Sequence, residues 1–278
     1  MSDSLILVHI SDPHFHRLPR HPRQWFSKRG LGALNLLLRR ARLHPRERAV
    51  RLVRQLERMD WDHLVISGDM TQLALEEEFE LARRMLEPLL ARGKDRVTIL
   101  PGNHDRYVAE PGGRDIFRAY FEEFFGEGEI ATRKLSQTWR LAAWDSARPT
   151  PLFQATGRVR RETLDATERW LGGLPEGARV VLANHYPLYF LPPHGGRRSH
   201  GLENLEEVRR WLTGRGIELY LHGHLHENWV LRLTDAGRPQ IHVNSASSTR
   251  VPRKSHDSAF HRIVLSGDAP EIQPLALD

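Results

Sequence analysis

The segment Arg96-Val-Thr-Ile-Leu-Pro-Gly-Asn-His-Asp105 joins a short apolar run to a turn that is rich in polar donors. Four other apolar runs lead into Gly, Asp, Asn or His residues in the same way: residues 5–10, 63–67, 179–183 and 218–221. Runs of this length, bounded by turn residues, are typical of buried β-strands. We therefore expect a sheet that carries polar loops at the ends of its strands.

Three amphipathic helical patterns alternate with these strands: residues 46–59, 76–90 and 202–215. The alternation of strand and helix predicts a layered α/β architecture. Beyond residue 226 the chain changes to three short strand-like runs, residues 229–233, 240–244 and 261–265. We expect these runs to form a second sheet, and we expect one domain over residues 1–278.

The composition narrows the kind of site that the chain can build. With 278 residues, 40% of them hydrophobic and 27% charged, it is typical of a globular protein with a substantial core. No apolar stretch approaches the roughly 20 residues that cross a bilayer, and the start lacks a secretion leader, so we expect a cytoplasmic location. The absence of cysteine excludes disulfides, zinc-thiolate sites and thiol nucleophiles. Any metal must therefore use His, Asp, Glu or Asn.

Such donors are concentrated in five short motifs at the predicted strand ends: Asp12-Pro-His14, Gly68-Asp69, Gly102-Asn-His-Asp105, Asn184-His185 and Gly223-His-Leu-His226. Ligands bind at strand ends in open α/β sheets, so these loops should meet. In an extended segment residues i and i+2 point the same way, which would let Asp12 and His14 hold one ion and His224 and His226 reach two adjacent ions. Oxygen and imidazole donors without thiolate suit Mn, Fe, Ni or Zn in a hydrolytic centre.

Each of these residues alone has an ordinary structural explanation, such as a helix cap, a turn or a packed histidine. Their joint occurrence on successive strand ends does not, because folding requires no such set of donors. In order and spacing the five motifs resemble the calcineurin-like metallophosphoesterase superfamily, over residues 5 to about 245. The resemblance implies a four-layer α/β/β/α sandwich of two mixed sheets flanked by helices, with a helical cap insert.

The resemblance also implies a dinuclear centre, with manganese as the expected ion and Fe, Ni or Zn as alternatives. The implied ligands are Asp12, His14 and His226 for one ion, Asn103, His185 and His224 for the other, and Asp69 as the bridge. Two such ions activate water for in-line attack on phosphorus. His104 would lie beside the scissile phosphate as acid or charge-stabilising group, with Asp105 orienting it. A non-catalytic scaffold of this fold would be expected to lack some of these residues, and all are present.

The segment of about residues 17–45, called the insert below, has its own character. Residues 17–48 contain ten Lys or Arg and one acid, so they carry +9 while the whole chain carries +6. On a helix over residues 31–43, one broad apolar face holds Leu31, Ala33, Leu34, Leu37, Leu38 and Ala41, whereas Leu36 and Leu43 lie off it. A basic amphipathic helix after Trp25 and Phe26 is typical of a membrane-surface element or a lid over an acyl chain. Packing against the protein's own core is the alternative.

The substrate is predicted from the insert. Protein Ser/Thr phosphatases of the superfamily carry G-D-x-V-D-R-G and G-N-H-E, and this chain reads Gly68-Asp-Met-Thr-Gln-Leu73 and Gly102-Asn-His-Asp105. The stretch that begins at Lys28 is similar to the insert of one branch of the UDP-2,3-diacylglucosamine pyrophosphohydrolases, which implies hydrolysis to lipid X and UMP on an anionic membrane surface. Cyclic nucleotide or broad phosphodiesterase activity is the alternative. A nucleic-acid substrate is a poor match to the insert, because its basic residues are accompanied by leucines rather than by spaced aromatic residues that could stack on bases.

Five residues in basic or histidine-containing loops are predicted to contact the substrate: Arg106, Arg197, Arg198, His200 and Arg250. The planar guanidinium group suits phosphate oxygens.

Overall fold

A computed structural model describes residues 4–192, 198–252 and 259–277. The strands are β1 (Leu5–Ile10), β2 (His63–Ile66), β3 (Val97–Ile99), β4 (Ile130–Lys134), β5 (Trp139–Trp144), β6 (Arg179–Ala183), β7 (Ile217–His222), β8 (Trp229–Asp235), β9 (Arg238–Asn244), β10 (Ala259–Leu265) and β11 (Glu271–Ala276). The α-helices are α1 (Pro22–Trp25), α2 (Lys28–Asn35), α3 (Ala41–Leu43), α4 (Arg46–Arg58), α5 (Glu76–Leu90), α6 (Ile116–Phe125), α7 (Arg161–Gly172) and α8 (Leu205–Leu212). A π-helical segment, Leu36–Arg40, connects α2 to α3.

Two mixed sheets contain these strands. The first has the order β11-β10-β1-β2-β3, with β1, β2 and β3 parallel and β10 antiparallel to β1. The second has the order β4-β5-β6-β7-β9-β8, with β5, β6, β7 and β9 parallel and each edge strand antiparallel to its neighbour. The predicted sandwich of two mixed sheets flanked by helices is confirmed.

One expectation about the sheets is wrong in part. β8 and β9 join the second sheet, but β10 pairs with β1 in the first sheet, where Leu265 lies opposite Leu5. The period of a strand identifies the strand and not its partner, because pairing depends on contacts between distant residues. The sequence patterns also did not identify the β4–β5 hairpin, β11, α6 or α7.

Alternating side chains of the central strands define the layers. In β6, Val181 and Ala183 belong to the core that the two sheets share with α4, α5 and α6. Val180 and Leu182 belong to a second core on the opposite face, with α7 and α8. Because both faces of β6 are buried, its sequence is a continuous apolar run rather than an alternating one.

The insert turns its leucine face outward. Ala33 and Leu36 are buried against Leu73 and Leu75, so Leu36, predicted to lie off the apolar face, is the core contact and Ala33 was placed on the wrong side. The leucines at 31, 34, 37 and 38 share one exposed face. Within the described residues, no helix has the length and apolar character needed to cross a bilayer.

Candidate metal centre

The predicted metal ligands come together where strands of both sheets end. In the first set, His226 Nε2 lies 3.1 Å from His14 Nε2 and 3.2 Å from Asp12 Oδ1. In the second set, His185 Nε2 lies 3.1 Å from Asn103 Oδ1. The ring of His224 completes that set, with its Nδ1 atom 3.2 Å from His185 Nε2. Two donors that share an ion at 2.0–2.2 Å are themselves roughly 3 Å apart, so both sets have suitable spacing.

Asp69 lies between the two sets. Its Oδ2 atom is 3.9 Å from His14 Nε2, and its Oδ1 atom is 3.5 Å from His185 Nε2. One carboxylate oxygen is therefore directed to each set. This is the arrangement needed by a carboxylate that bridges two ions.

Burial and protonation test whether the donors fit metal ions. Among the described residues, Asp12 Oδ1 is buried without a hydrogen-bond partner, which is costly unless a cation meets it. Burial holds the pKa of His224 well below its usual value and lowers that of His185. Burial alone would raise the pKa of Asp12, but the facing imidazole of His226 keeps it well below its usual value. Neutral imidazoles and a charged carboxylate are the forms that bind divalent ions.

The backbone at the predicted ligands is left-handed rather than extended. The residues with this conformation are Asp12 (φ 50°), His14 (φ 47°), Asp69 (φ 54°), His224 (φ 71°) and His226 (φ 55°). The extended geometry that we expected for these motifs is therefore wrong. Each such residue costs about 1–3 kcal/mol, and such strain concentrates at functional sites.

Side-chain hydroxyls hold the first strained loop in place. Ser247 Oγ donates to the carbonyl of Asp12 at 2.6 Å, and Ser248 Oγ donates to that of Ser11 at 2.9 Å. Thr249 Oγ1 donates to the carbonyl of Pro13 at 2.7 Å. All three hydroxyls are buried, so these bonds are shielded from water.

The glycines of two motifs leave room for carboxylates. A Cβ atom at Gly102 would overlap the Asp69 carboxylate, and one at Gly223 would overlap Ser11 Oγ and the Asp12 carboxylate. Any larger residue would displace a predicted ligand. This explains why glycine stands at the start of the Gly102-Asn-His-Asp105 and Gly223-His-Leu-His226 motifs.

His104 lies beside the two sets but is oriented differently from the expectation. Its Nδ1 atom is 2.6 Å from the Gln72 carbonyl, which can only accept, so this contact requires the proton on Nδ1. The ring stacks on Tyr107 at 5.6 Å between centroids. Its backbone N–H donates to Asp69 Oδ1 at 2.8 Å.

The prediction that Asp105 orients His104 directly is wrong. The Asp105 carboxylate accepts backbone N–H groups from Met70, Thr71 and Gly102 at 2.8–3.1 Å. Burial raises its pKa to about 6, against the opposing effect of these hydrogen bonds. Asp105 therefore ties together the two loops that carry Asp69 and His104.

Two of the predicted substrate contacts, Arg106 and His200, are fully described. Arg106 donates to Asp115 at 2.7 Å and to Asp145 at 2.5 Å, and these two acids raise its pKa against burial. Its terminal nitrogens are held in these ion pairs, and its contact with phosphate stays a prediction. His200 lies near the centre, with its ring 6.1 Å from that of His224.

The remaining three predicted substrate contacts are only partly described. Arg197 lies outside the described residues. Arg198 has a described backbone, which starts a 3₁₀ turn, and its side chain is not described. Arg250 follows the hydroxyl segment that anchors the Asp12 loop, and its backbone N–H donates to the Ser247 carbonyl at 3.3 Å.

The sequence interpretation missed His44, a buried residue at the end of the insert whose ring lies 4.8 Å from that of His14. No motif identifies it, because its position depends on how the insert returns to the core. His9 and His63, which match no ligand position in the resemblance, pack in the core beside Ser67 and Thr98.

The fold and this donor set define a metal-dependent phosphoesterase. A model of the calcineurin-like phosphoesterase family matches residues 5–228, and the chain belongs to that family. Bound divalent ions in such a centre lower the pKa of a water and polarise phosphoryl oxygens. A search of curated protein sequences finds no match.

Several solved structures share the fold. A dimetal phosphatase from Danio rerio is 15% identical, with a TM-score of 0.66 over the whole of both chains. The purple acid phosphatase PPD1 from yellow lupin (Lupinus luteus) seeds is 12% identical, with a TM-score of 0.59 over 99% of this chain and 52% of its own. The protein TT1561 of Thermus thermophilus is 12% identical, with a TM-score of 0.51 over 99% of each chain. At these identities the likeness shows the fold alone.

Proposed function

We propose that this enzyme is a pyrophosphohydrolase that cleaves UDP-2,3-diacylglucosamine, a lipid-linked nucleoside diphosphate, to lipid X and UMP. The observation that carries the proposal is the exposed leucine face of the insert, which borders a cleft that reaches His104. An enzyme for a water-soluble phosphoester needs no such face. The proposal includes manganese as the metal and a peripheral position on the cytoplasmic side of the membrane.

The cleft has a volume of about 550 Å³ and lies between the insert and the predicted metal centre. Its lining runs from the buried Asn103 and half-buried His104 to the exposed Leu31 and Phe153. Lys28 closes one side, where its Nζ atom donates to the Thr150 carbonyl at 2.8 Å. A phosphate group attached to an acyl chain matches a cleft that is polar at one part and apolar at another.

The insert also presents apolar groups to its surroundings. Phe26 is 92% exposed and Leu38 is 70% exposed, and Leu34 and Leu37 are each about half exposed. Burying such a side chain is worth about 1.5–3 kcal/mol, which a bilayer or acyl chain would supply. The arginines and lysine of the same segment suit anionic headgroups.

We assign the predicted ligands to their two ions, with Asp69 as the bridge. Water attacks the phosphorus of the diphosphate, and the P–O bond to the leaving phosphate breaks. In its doubly protonated form His104 would donate a proton to, or stabilise the charge on, the leaving oxygen, while the Gln72 carbonyl fixes its orientation. The proton that the attacking water releases balances the one that the leaving oxygen takes up. The product phosphates then carry the oxygen of water and the oxygen of the broken bridge.

The test compares substrates on purified, manganese-loaded protein. UDP-2,3-diacylglucosamine, 3′,5′-cyclic AMP and single-stranded DNA are offered at equal concentrations, and the products are quantified. We expect fast cleavage of the lipid substrate. Rapid cleavage of cyclic AMP alone would overturn the proposal in favour of a cyclic nucleotide phosphodiesterase, and cleavage of DNA alone would favour a nuclease.

A variant of the insert separates lipid recognition from chemistry. The double substitution Leu37→Ser and Leu38→Ser should reduce binding to anionic vesicles and turnover of the lipid substrate, with little effect on bis(p-nitrophenyl) phosphate. Val230→Ser is the control, because Val230 is an apolar residue that is 37% exposed and lies outside the insert, on the edge strand β8. Unchanged vesicle binding and lipid turnover in the double variant would remove the role of the leucine face.

A further inference from the structure

His44 comes from the insert but lies at the predicted metal centre. It directly follows α3 and is 5% exposed. Its ring stands nearly perpendicular to that of His14, with centroids 4.8 Å apart, and 6.1 Å from that of His226. One ring nitrogen from each of these three residues lies within 4.8 Å of the other two.

Hydrogen bonding defines the tautomer of His44. Its Nδ1 atom lies 3.1 Å from Thr249 Oγ1, and that hydroxyl already donates its proton to the Pro13 carbonyl at 2.7 Å. The hydroxyl can only accept from His44, so Nδ1 carries the proton. Ser247 Oγ, 3.4 Å from the same nitrogen, likewise donates elsewhere, to the Asp12 carbonyl. The lone pair is therefore on Nε2, the state in which a histidine binds metal.

We propose that His44 is a further metal-binding residue of the centre, acting together with His14 and His226. This inference rests on the proposed metal centre and not on the proposed substrate. The Thr249 hydroxyl then acts on the metal through His44, as a partner that sets tautomer and ring direction.

The position of His44 links metal binding to the insert. Immediately before it, the Leu43 carbonyl accepts the backbone N–H of Val251 at 2.7 Å. Just after it, Arg48 Nε donates to the Thr249 carbonyl at 3.1 Å. The end of the insert is thus fastened to the hydroxyl segment that holds the Asp12 loop. Metal bound through His44 would stabilise the insert in its place beside the cleft.

The first test measures metal affinity directly. Manganese is titrated into metal-free protein and followed by electron paramagnetic resonance and calorimetry. His44→Ala should weaken one of the two sites by at least about tenfold and leave the other unchanged. His21→Ala, which removes an exposed histidine of the same segment, should bind both ions as the wild type does. Wild-type affinity at both sites in a folded His44→Ala variant would overturn the proposal.

A second pair of variants tests the tautomer argument without removing the imidazole. Thr249→Val deletes the hydroxyl that accepts from His44 and should weaken the same site, whereas Thr249→Ser should restore its affinity. Cobalt-substituted protein should show a changed visible spectrum in His44→Ala and an unchanged one in His21→Ala. Hydrogen exchange of residues 28–43 should slow when manganese is added to the wild type. Exchange that is insensitive to the metal, with identical spectra in all variants, would contradict a ligand role.

Discussion

The metal loops and the insert hold their functional residues in opposite ways. The metal loops are residues 11–14, 68–71, 102–105, 184–185 and 223–226. Three of them, 11–14, 68–71 and 223–226, contain left-handed residues, and buried hydrogen bonds hold the loops in place. The insert is held by a small apolar contact through Ala33 and Leu36 and by the side chains of Lys28 and Arg29. Most of its leucines remain on the surface.

This difference follows from what each region must do. A metal centre needs donors at fixed separations, and left-handed residues persist only where the surroundings determine them. A surface that meets lipid needs exposed apolar area and tolerates small shifts, because the hydrophobic effect is not directional. Substitutions should therefore act on metal and turnover in the first region and, except at His44, on stability or lipid binding in the second.

The largest effect is expected where both metal sets meet. Asp69→Ala removes the carboxylate that faces His14 and His185, so we expect loss of both metals and of measurable turnover. Metal content is measured by mass spectrometry on the purified, folded protein. Asp165→Ala on the exposed side of α7 is the control and should keep metal and activity. Two retained metals in Asp69→Ala would contradict the bridging position.

His104→Ala should separate chemistry from metal binding. We expect both metals to remain, because His104 is not among the predicted ligands, and turnover to fall by about 10²–10⁴-fold. Metal content and the rate with bis(p-nitrophenyl) phosphate are measured on the same sample. Full activity in this variant would remove His104 from the reaction.

The fold was predictable from sequence to the extent that it depends on local pattern. The runs that became β1, β2, β3, β6 and β7 were recognised because strands buried on both faces are apolar throughout. The sheet to which β10 belongs was not predicted, because the pairing of β10 with β1 joins residues far apart in the chain. The likeness of the insert to a membrane-surface helix came from its leucine pattern, but the pattern could not show which face would be buried.

The residues of the candidate site were likewise predictable only where they are neighbours in sequence. The residues of the five motifs are neighbours in sequence, so their order identified the donor set. Gln72 and His44 lie outside the motifs and reach the centre through the fold, which sequence spacing does not encode. The expected pairing of Asp105 with His104 failed because the buried carboxylate binds backbone N–H groups instead.

A smaller effect should distinguish the two faces of the insert. Leu36 is 1% exposed and packs with Leu73 and Leu75, so Leu36→Ala should lower the free energy of unfolding by about 2–5 kcal/mol. Leu38 is 70% exposed, and Leu38→Ala should change the free energy of unfolding by less than about 0.5 kcal/mol. Urea unfolding of the two variants gives the comparison. Equal losses would mean that the leucine face is part of the core.

A pH-dependent effect is expected at Glu78, which connects the two regions. Its Oε2 atom accepts the backbone N–H groups of Leu73 at 2.8 Å and Gln72 at 3.3 Å, beside His104, and its Oε1 atom accepts that of Arg17 at the start of the insert. Burial raises the pKa of Glu78 from 4.5 to about 7, although the hydrogen bonds oppose the shift.

The sign of the pH effect follows from this raised pKa. Between about pH 4.5 and 7 the unfolded chain binds fewer protons at Glu78 than the folded protein, so the contribution of Glu78 to the free energy of unfolding falls as pH rises through this window. The slope is at most about 1.4 kcal/mol per pH unit. In urea unfolding of metal-free protein at pH 5, 6, 7 and 8, Glu78→Gln should lose this contribution, so its difference from the wild type should change with pH, whereas Glu80→Gln, exposed on the same helix, should follow the wild type. Parallel curves for wild type and Glu78→Gln would mean that the carboxylate stays charged, held by its backbone donors as firmly as the metal loops are.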